Sequence, residues 1–453
     1  MPRNCLLILF MLQRGTTNME DKKVKFGLSS IVLLGINGII GTGIFLLLNR
    51  AYALMGPASL GILLFDAFLA GCLALCFAEA SGFFTRNGGP YLYAKAAFGD
   101  FWGYEVGVLK LVVTIIAWST MAVGFATALG AAFPAVSGNF AKNAIAAILI
   151  GGLSALNIAG VKTSKILNDI MTISKLVPLI AFIAIGIFFI NGANFTPFVP
   201  AHVEEGAFAN AAITLFFAYT GFEAIAVGAE DFKDPKKNLP RAIILTMIIV
   251  TVIYMLVLGI SIGILGPSLA TDKAPIQDAF GKILGPVGSY FILIGTLLSM
   301  GGINMAESFI APRACTALAE DGMLPEALSK RTPWGTPYVA SIFIAVCSIL
   351  LAWSGSFTTL AAISAVSRFT QYLPTALAVI VFRKKWADRE RSYTIPGGIL
   401  IPVVALVTSL WMLSNAKPMQ LVWGLGGCLV ILPYYFVYAK KKKMGLIPEQ
   451  KEE

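Results

Sequence analysis

Long apolar runs separated by short polar connections fill this sequence from residue 28 to residue 439. A helix needs about 20 apolar residues to cross a bilayer, so the pattern predicts about twelve membrane-spanning helices. They are predicted at 28–48, 57–83, 101–134, 142–160, 170–191, 208–230, 241–265, 285–312, 337–354, 357–382, 396–414 and 420–439. The third is long enough that we expect it to be tilted or to extend beyond the bilayer. The sequence therefore predicts an all-α integral membrane protein without a separate soluble domain.

The composition excludes most soluble classes of protein. Hydrophobic residues make up 57% of the 453 residues and charged residues only 13%, about half the charged share of a soluble domain. There is one histidine, His202, and of the six cysteines only Cys72 and Cys76 lie close together, four positions apart in an apolar run. Such a pair is expected to pack in a core, and a zinc site or a His-based triad would need more of these residues. No metal, cofactor or enzymatic activity is predicted.

Lysines and arginines are distributed unevenly between the two sides of the predicted membrane. With the amino terminus inside, 26 of the 34 fall in cytoplasmic segments and 5 in outer segments, while Lys110, Lys175 and Arg368 lie within apolar segments. This distribution predicts cytoplasmic tails, 1–27 and 440–453, for a multi-pass protein of the cell membrane. Basic segments facing an anionic inner leaflet account for the net charge of +10, so no nucleic-acid partner is predicted.

The first residues are interpreted as the product of an upstream start. Residues 5–12 form only a short apolar run, and no small-residue cleavage site follows it as in a signal peptide. The second methionine, Met19, opens a charged segment. Residues 1–18 are therefore given little weight in the fold.

Two predicted segments carry glycines near the centre of the bilayer. The first contains Gly35, Gly38, Gly41 and Gly43, and the sixth contains Gly221. Glycine destabilises a helix interior, and non-helical backbone inside a membrane is tolerated only where it faces protein or a cavity. Interrupted segments at corresponding positions of two five-helix halves are typical of inverted-repeat transporters. The alternative is close packing of continuous helices through small residues.

Interrupted helices of this kind suit the chemistry of a free amino acid. The N–H groups at the amino end of a half-helix attract a carboxylate, and the carbonyl groups at a carboxyl end attract an ammonium group. A free amino acid carries both groups on one carbon. The pattern therefore indicates an amino acid as the small-molecule substrate of a protein embedded in the lipid bilayer.

Six stretches of sequence, in order, carry a resemblance to a known family. They are GIIGTGIF (38–45), FAEASGFFTRNGGPYLYAKAAFG (77–99), LNIAGVKTSK (156–165), FFAYTGFEAIAVGAEDFKDPKKNLPRAI (216–243), RACTALAEDGMLP (313–325) and TIPGGILIP (394–402). Together they resemble the amino acid–polyamine–organocation (APC) superfamily of permeases. The resemblance implies the leucine-transporter fold with alternating access. It has inverted repeats at 28–191 and 208–382, discontinuous helices 1 and 6, and two further helices at 396–439.

The same resemblance implies where a substrate would bind. The carboxylate would lie on the amides around Gly41, Thr42 and Gly43. The amine would face carbonyl groups from both breaks, those of Ile39, Ile40, Phe217, Ala218 and Thr220. The side-chain pocket would be lined by Trp118 and Ile303, and Phe217 would also match an aromatic gate. For Phe217 and Trp118 the alternative is a place in the apolar core.

Charged residues inside apolar segments are expected to be functional, because charge is expensive there. Lys175 resembles the fifth-helix lysine of sodium-independent members, whose ammonium takes the place of a sodium ion. It would be a fixed cation for exchange or the protonated switch of a symporter, unless it reaches out to the interface. Lys110 and Glu223 are expected to pair near the outer part of the pathway and to contribute to a gate. Arg368 is expected to contact Glu307 or a substrate acid, or to anchor the inner mouth.

The eighth segment offers Ser299 and a lone Ser308 where sodium-coupled relatives have a close pair of hydroxyl residues. The leading hypothesis is therefore a sodium-independent secondary transporter of amino acids, coupled to protons or to exchange, with neutral substrates favoured. One alternative is an antiporter that exchanges an amino acid for its decarboxylated amine, and another is an amino acid sensor that does not transport. For Asp66, in the second segment, the sequence supplies no partner.

Overall fold

A computed structural model describes residues 26–84, 89–160, 165–227, 232–389 and 393–444, which are mostly helical. The helices before residue 190 are α1 (Leu28–Ile39), α2 (Thr42–Leu46), α3 (Leu48–Met55), α4 (Ser59–Ser81), α5 (Pro90–Phe98), α6 (Asp100–Ala132), α7 (Asn139–Ile158) and α8 (Lys165–Gly186). The later helices are α9 (Ala207–Tyr219), α10 (Pro235–Leu265), α11 (Pro275–Glu320), α12 (Tyr338–Trp353), α13 (Phe357–Lys385), α14 (Leu400–Ser414), α15 (Pro418–Leu425) and α16 (Gly427–Lys443). A short 3₁₀ helix (Phe222–Val227) follows α9. The all-α prediction is confirmed for these residues, among which a single isolated bridge joins Phe26 to Phe232.

Six helical stretches in the described part of the chain are long and apolar enough to cross a membrane. The number becomes seven if α14 and α15, which meet at a bend of 120°, form one span. Four further apolar helices have only 10–17 residues, and α1 and α9 are two of them. These helices support a multi-pass membrane protein, and the twelve-span arrangement stays a prediction.

Large apolar side chains lie on the outer surface of several helices. Ile248 and Val252 of α10, Ile294 of α11, Leu350 of α12 and Val407 of α14 are all more than half exposed. A soluble monomer rarely exposes so much apolar surface. Lipid tails are as apolar as leucine and meet this surface without cost. The distribution therefore agrees with helices that pack inward on each other and face lipid outward.

Both helix interruptions predicted from the glycines are present. Directly after α1, Ile40 has an extended backbone (φ −71°, ψ 95°), followed by Gly41 (φ −124°, ψ −142°) and the start of α2. Directly after α9, Thr220 is extended (φ −73°, ψ 153°), and Gly221 has a φ of 113°. A side chain strongly disfavours that left-handed φ, and glycine adopts it readily. The second break therefore depends on glycine at this position.

Ion pairs hold together one end of the bundle, which we call the basic end. Arg383 of α13 donates two hydrogen bonds to Glu79 of α4, at 2.7 Å from Nε and 2.5 Å from Nη2. The same carboxylate, which is fully buried, accepts the N–H of Ile395 at 2.8 Å. Lys442 of α16 pairs with Asp100 at the start of α6. These contacts tie α4, α13 and the segment before α14 to one another, and α16 to α6.

Candidate functional site

The two helix interruptions lie against each other. A Cβ atom added to Gly43 would lie 2.7 Å from the Cα atom of Ala218, and one added to Gly221 would overlap the carbonyl group of Gly38. Backbone therefore packs directly on backbone at both contacts, which residues larger than glycine would prevent. The structure brings together the two sets of residues that the sequence predicted to form one site.

Tyr254 of α10 connects the ends of the two broken helices. Its hydroxyl lies 3.0 Å from the carbonyl oxygen of Ala218 and 3.3 Å from that of Ile39, and it donates toward both. The side chain is fully buried. The sequence does not single out this residue, because a tyrosine within an apolar run carries no signal of a polar contact. One hydroxyl thus links the last turns of α1 and α9.

Lys175 of α8 lies at the carboxyl end of α1. Its side chain is fully buried, and its Nζ donates to the carbonyl oxygens of Asn37 and Ile40, each at 3.0 Å. The alternative prediction, a lysine that reaches the interface, is therefore wrong for this structure. Cations are favourable at a helix carboxyl end, where carbonyl groups lack intrahelical partners. The ammonium group thus satisfies the carbonyls where α1 is interrupted.

Four carbonyl groups predicted to face a substrate amine each accept a hydrogen bond from the protein. Ile40 accepts from Lys175, and Ile39 and Ala218 accept from Tyr254. Phe217 accepts from the hydroxyl of Thr220 at 2.7 Å and from its N–H at 3.2 Å. A carbonyl oxygen has two lone pairs, so one acceptor position is left on each of the first three oxygens.

Gly41, Thr42 and Gly43 lie at the amino end of α2, where N–H groups precede the first intrahelical bonds. All three residues are buried. The hydroxyl of Thr42 contacts the sulfur of Met121 at 3.3 Å, and its methyl group packs next to Gly124 of α6. The predicted amide cluster therefore lies directly against α6.

The residues predicted to line a side-chain pocket come from α6, α9 and α11. Ile303 of α11 approaches Gly41, as does Met121, which the sequence analysis missed. Trp118 lies one turn before Met121 on α6 and is fully buried, and its indole N–H has no hydrogen-bond partner among the described residues. Phe217 packs edge-on against Phe357 with ring centroids 6.3 Å apart. The residues nearest to Gly41 are thus apolar.

The predicted pair between Lys110 and Glu223 is wrong. Glu223 forms its ion pair with Arg368 of α13, and its Oε2 accepts the N–H of Gly221 and the hydroxyl of Tyr372, both at 2.9 Å. The expected contact of Arg368 with Glu307 is wrong for the same reason. Pairs between helices depend on helix rotation and packing, and α13 presents Arg368 and Tyr372 to the second break.

Lys110 interacts electrostatically with Glu307 of α11 instead. Lys110 is only ten residues from Asp100, so it lies in the half of α6 nearer the basic end. Glu223 follows the second break on the way to Phe232, which contacts Phe26. Glu223 pairs instead with Arg368, near the middle of α13, so Lys110 and Glu223 belong to two different charge pairs.

Removing one partner of the Arg368–Glu223 pair is expected to destabilise the protein by about 3–5 kcal/mol, because the remaining charge is left buried and uncompensated. Arg368→Met should lower the melting temperature in detergent clearly, and adding Glu223→Gln should recover much of the loss. The matched control is Arg331→Gln, which removes an exposed pair with Glu320 and should cost about 1 kcal/mol or less. Equal melting temperatures for Arg368→Met and the control would contradict this account.

Side chains that could bind a metal ion are spread apart in the described residues. In the part of the chain that it describes, no three His, Cys, Asp or Glu side chains cluster as metal ligands. Of the two serines considered for sodium, Ser308 donates to the carbonyl of Met305 at 2.7 Å. Ser299 is buried, and its hydroxyl has no described partner.

Comparison with known proteins gives the family. The amino acid permease family model matches residues 26–422. The branched-chain amino acid permease BcaP of Bacillus subtilis is 30% identical over 94% of this chain and 95% of its own length. The methylthioribose transporter of the same organism is 27% identical, covering 91% and 93%. The serine/threonine exchanger SteT of Bacillus subtilis is 27% identical over 94% of this chain and 99% of its own length. The chain is therefore a transporter of the amino acid permease family within the APC superfamily.

Proposed function

We propose that this protein is a sodium-independent secondary transporter that moves amino acids across the cytoplasmic membrane by alternating access. The observation that carries the proposal is the contact between the two helix interruptions, with the Lys175 ammonium 3.0 Å from the Ile40 carbonyl. A fixed cation at the end of α1 supplies the charge that a sodium ion would otherwise supply. In the proposed arrangement, segments one to five and six to ten form two inverted repeats with cytoplasmic termini.

The substrate carboxylate is proposed to bind the amides of Gly41, Thr42 and Gly43, and the amine the free carbonyl positions of Ile39, Ile40 and Ala218. The carbonyl of Thr220 completes the proposed set, whereas both acceptor positions of the Phe217 carbonyl, predicted as part of it, are taken by Thr220. Helix ends at a break offer these two kinds of group without any charged side chain.

The side-chain pocket is proposed to be apolar. Ile303 and Met121 approach Gly41, and Trp118 lies one turn away. An apolar pocket favours a neutral aliphatic side chain, which agrees with the branched-chain substrates named for the BcaP relative. Branched-chain amino acids are therefore the first substrates to test.

Exchange is the second candidate function. The SteT relative is named an exchanger, and a Lys175 that keeps its charge throughout the cycle would suit exchange as well as symport. An amine lacking the carboxylate would bind without the amides of α2, so exchange of an amino acid for its amine is a further form of this candidate.

The proposal is tested by uptake into proteoliposomes without sodium. We expect radiolabelled leucine or valine to enter in response to an acid-outside gradient, or in exchange for unlabelled substrate inside. The panel should include serine, threonine, amines and methylthioribose, because the relatives' names cover several of these. Liposomes containing the Gly221→Ala variant provide the control for leakage. Binding without uptake under every condition would contradict transport and favour a sensor.

A further inference from the structure

Asp66 is a buried carboxyl group that the site described above does not use. It lies within α4, its side chain is fully buried, and neither carboxyl oxygen has a hydrogen-bond partner among the described residues. No described ion pair includes it either. By contrast, Glu79 on the same helix binds Arg383 through both oxygens. The two acids of α4 thus have opposite surroundings.

The charged groups on the neighbouring helices do not compensate Asp66. On α13, Arg368 is paired with Glu223, Arg383 is paired at the basic end with Glu79, and Lys384 and Lys385 beside it are exposed. Helix α14 contains no titratable side chain, and on α3 Arg50 is exposed. On α10 the lysines and Arg241 lie in the first two turns, far along the helix from Tyr254. An isolated carboxylate is very costly in such a setting, whereas its protonated form is far less so.

Tyr219, the last residue of α9 before the second break, interacts electrostatically with Asp66. The Tyr219 ring packs on that of Tyr254, with centroids 5.3 Å apart. The Tyr254 hydroxyl in turn contacts the carbonyl groups of Ala218 and Ile39. Contacts therefore run from Tyr219, through Tyr254, to the ends of both broken helices, and Asp66 acts on Tyr219 through its charge.

We propose that Asp66 is the binding site of a proton that this transporter carries together with its substrate. The inference rests on the proposed transport function. The carboxylate takes up one proton from the acidic side and releases it to the other side when the end of α9 moves and water reaches α4. The proposed proton site is thus separate from Lys175, which donates to the carbonyl groups of Asn37 and Ile40 at the first break. Substrate binding changes the ends of α1 and α9, and Tyr254 and Tyr219 pass that change to Asp66.

Asp66→Asn separates proton coupling from substrate movement, because asparagine imitates the protonated shape and cannot titrate. An acid-outside gradient of one pH unit sustains up to about tenfold accumulation for one proton per substrate. We expect the variant to lose this accumulation and the accompanying proton entry, measured with a pH dye inside the liposomes. Exchange of labelled for unlabelled substrate at equal pH should stay within about twofold of the wild-type rate, well under the tenfold that corresponds to 1.4 kcal/mol.

The matched control is Ser59→Ala on the same helix, since the Ser59 hydroxyl is also buried without a described partner but does not titrate. It should keep gradient-driven accumulation. If Asp66→Asn accumulates substrate like the wild type, or if wild-type uptake brings in no protons, the inference is overturned while the proposed transport stands. Absence of both uptake and exchange in the wild type would instead overturn the proposed function.

A second variant decides the question if Asp66→Asn does not fold. Asp66→Glu keeps a titratable group at a slightly different position. We expect this variant to keep proton-driven substrate accumulation, with its dependence on pH shifted from that of the wild type. An unchanged profile would mean that the proton binds elsewhere.

Discussion

Replacing Lys175 with methionine is expected to reduce transport by about 100-fold or more. The variant keeps the length and apolar stem of the side chain but removes both hydrogen bonds to the end of α1. Hydrogen bonds to charged groups contribute about 1.5–3 kcal/mol each, so two of them account for a loss of this size. Initial rates of leucine uptake and of exchange in proteoliposomes, at equal protein density, measure the effect.

The control for this substitution is Lys282→Met, which removes an exposed lysine and should leave both rates unchanged. Lys175→Arg keeps the charge but replaces a compact ammonium with a planar group that needs more room, so only partial activity is expected. Wild-type rates in Lys175→Met would mean that the cation is not needed at the first break, and the sodium-independent mechanism would lose its basis.

Gly221→Ala is expected to abolish transport and to destabilise the protein by at least about 3 kcal/mol. The φ of 113° strains any side chain, at a cost of about 1–3 kcal/mol. The added Cβ would also overlap the carbonyl group of Gly38, which is backbone and cannot move aside alone. The melting temperature in detergent and the uptake rate together measure both effects.

Gly61→Ala is the matched control for this glycine. It lies in α4, and an added Cβ would meet no atom within 4 Å. Alanine favours a helix over glycine by about 1 kcal/mol, so this variant should be as stable as the wild type or slightly more stable. If Gly221→Ala were as stable and active as Gly61→Ala, the second break would not depend on close backbone contact.

The helix interruptions could be predicted from the sequence because their signal is local. Several glycines within one apolar segment oppose a continuous helix whatever surrounds them. The residue that links the breaks could not be predicted in this way. Tyr254 acts through its distance to two carbonyl groups on other helices, and this distance exists only after α1, α9 and α10 have packed.

The pairing of charges also lay beyond the sequence. The sequence pattern identifies Lys110, Glu223 and Arg368 as costly charges in apolar segments, since burial can be predicted from the residues nearby. Which acid pairs with which base depends on the rotation and tilt of three helices. Lys110 was expected near Glu223 and Arg368 near Glu307, but Lys110 interacts with Glu307 and Arg368 pairs with Glu223. The role of Lys175 followed from the family resemblance, and its contacts with the carbonyl groups of Asn37 and Ile40 are seen only in the structure.

The positions of the apolar segments predict where helices lie better than their lengths predict how long each continuous helix is. Segments one and six were predicted as full spans, but their breaks divide them into pieces shorter than 18 residues, such as α1 and α9. A window of 20 residues therefore overestimates the continuous helix wherever the function needs an interruption.

The contact between Glu79 and Arg383 has a consequence for how the protein is made. The two residues are 304 positions apart in the chain. Ribosomes add about 5–20 residues per second, so Glu79 is synthesised about 15–60 s before its guanidinium partner. Throughout that interval α4 carries an acid that the bilayer does not tolerate as an unpaired charge. The buried acid of α4 thus gains its partner only when the last third of the chain has been made, so we expect truncated chains that lack Arg383 to assemble incompletely.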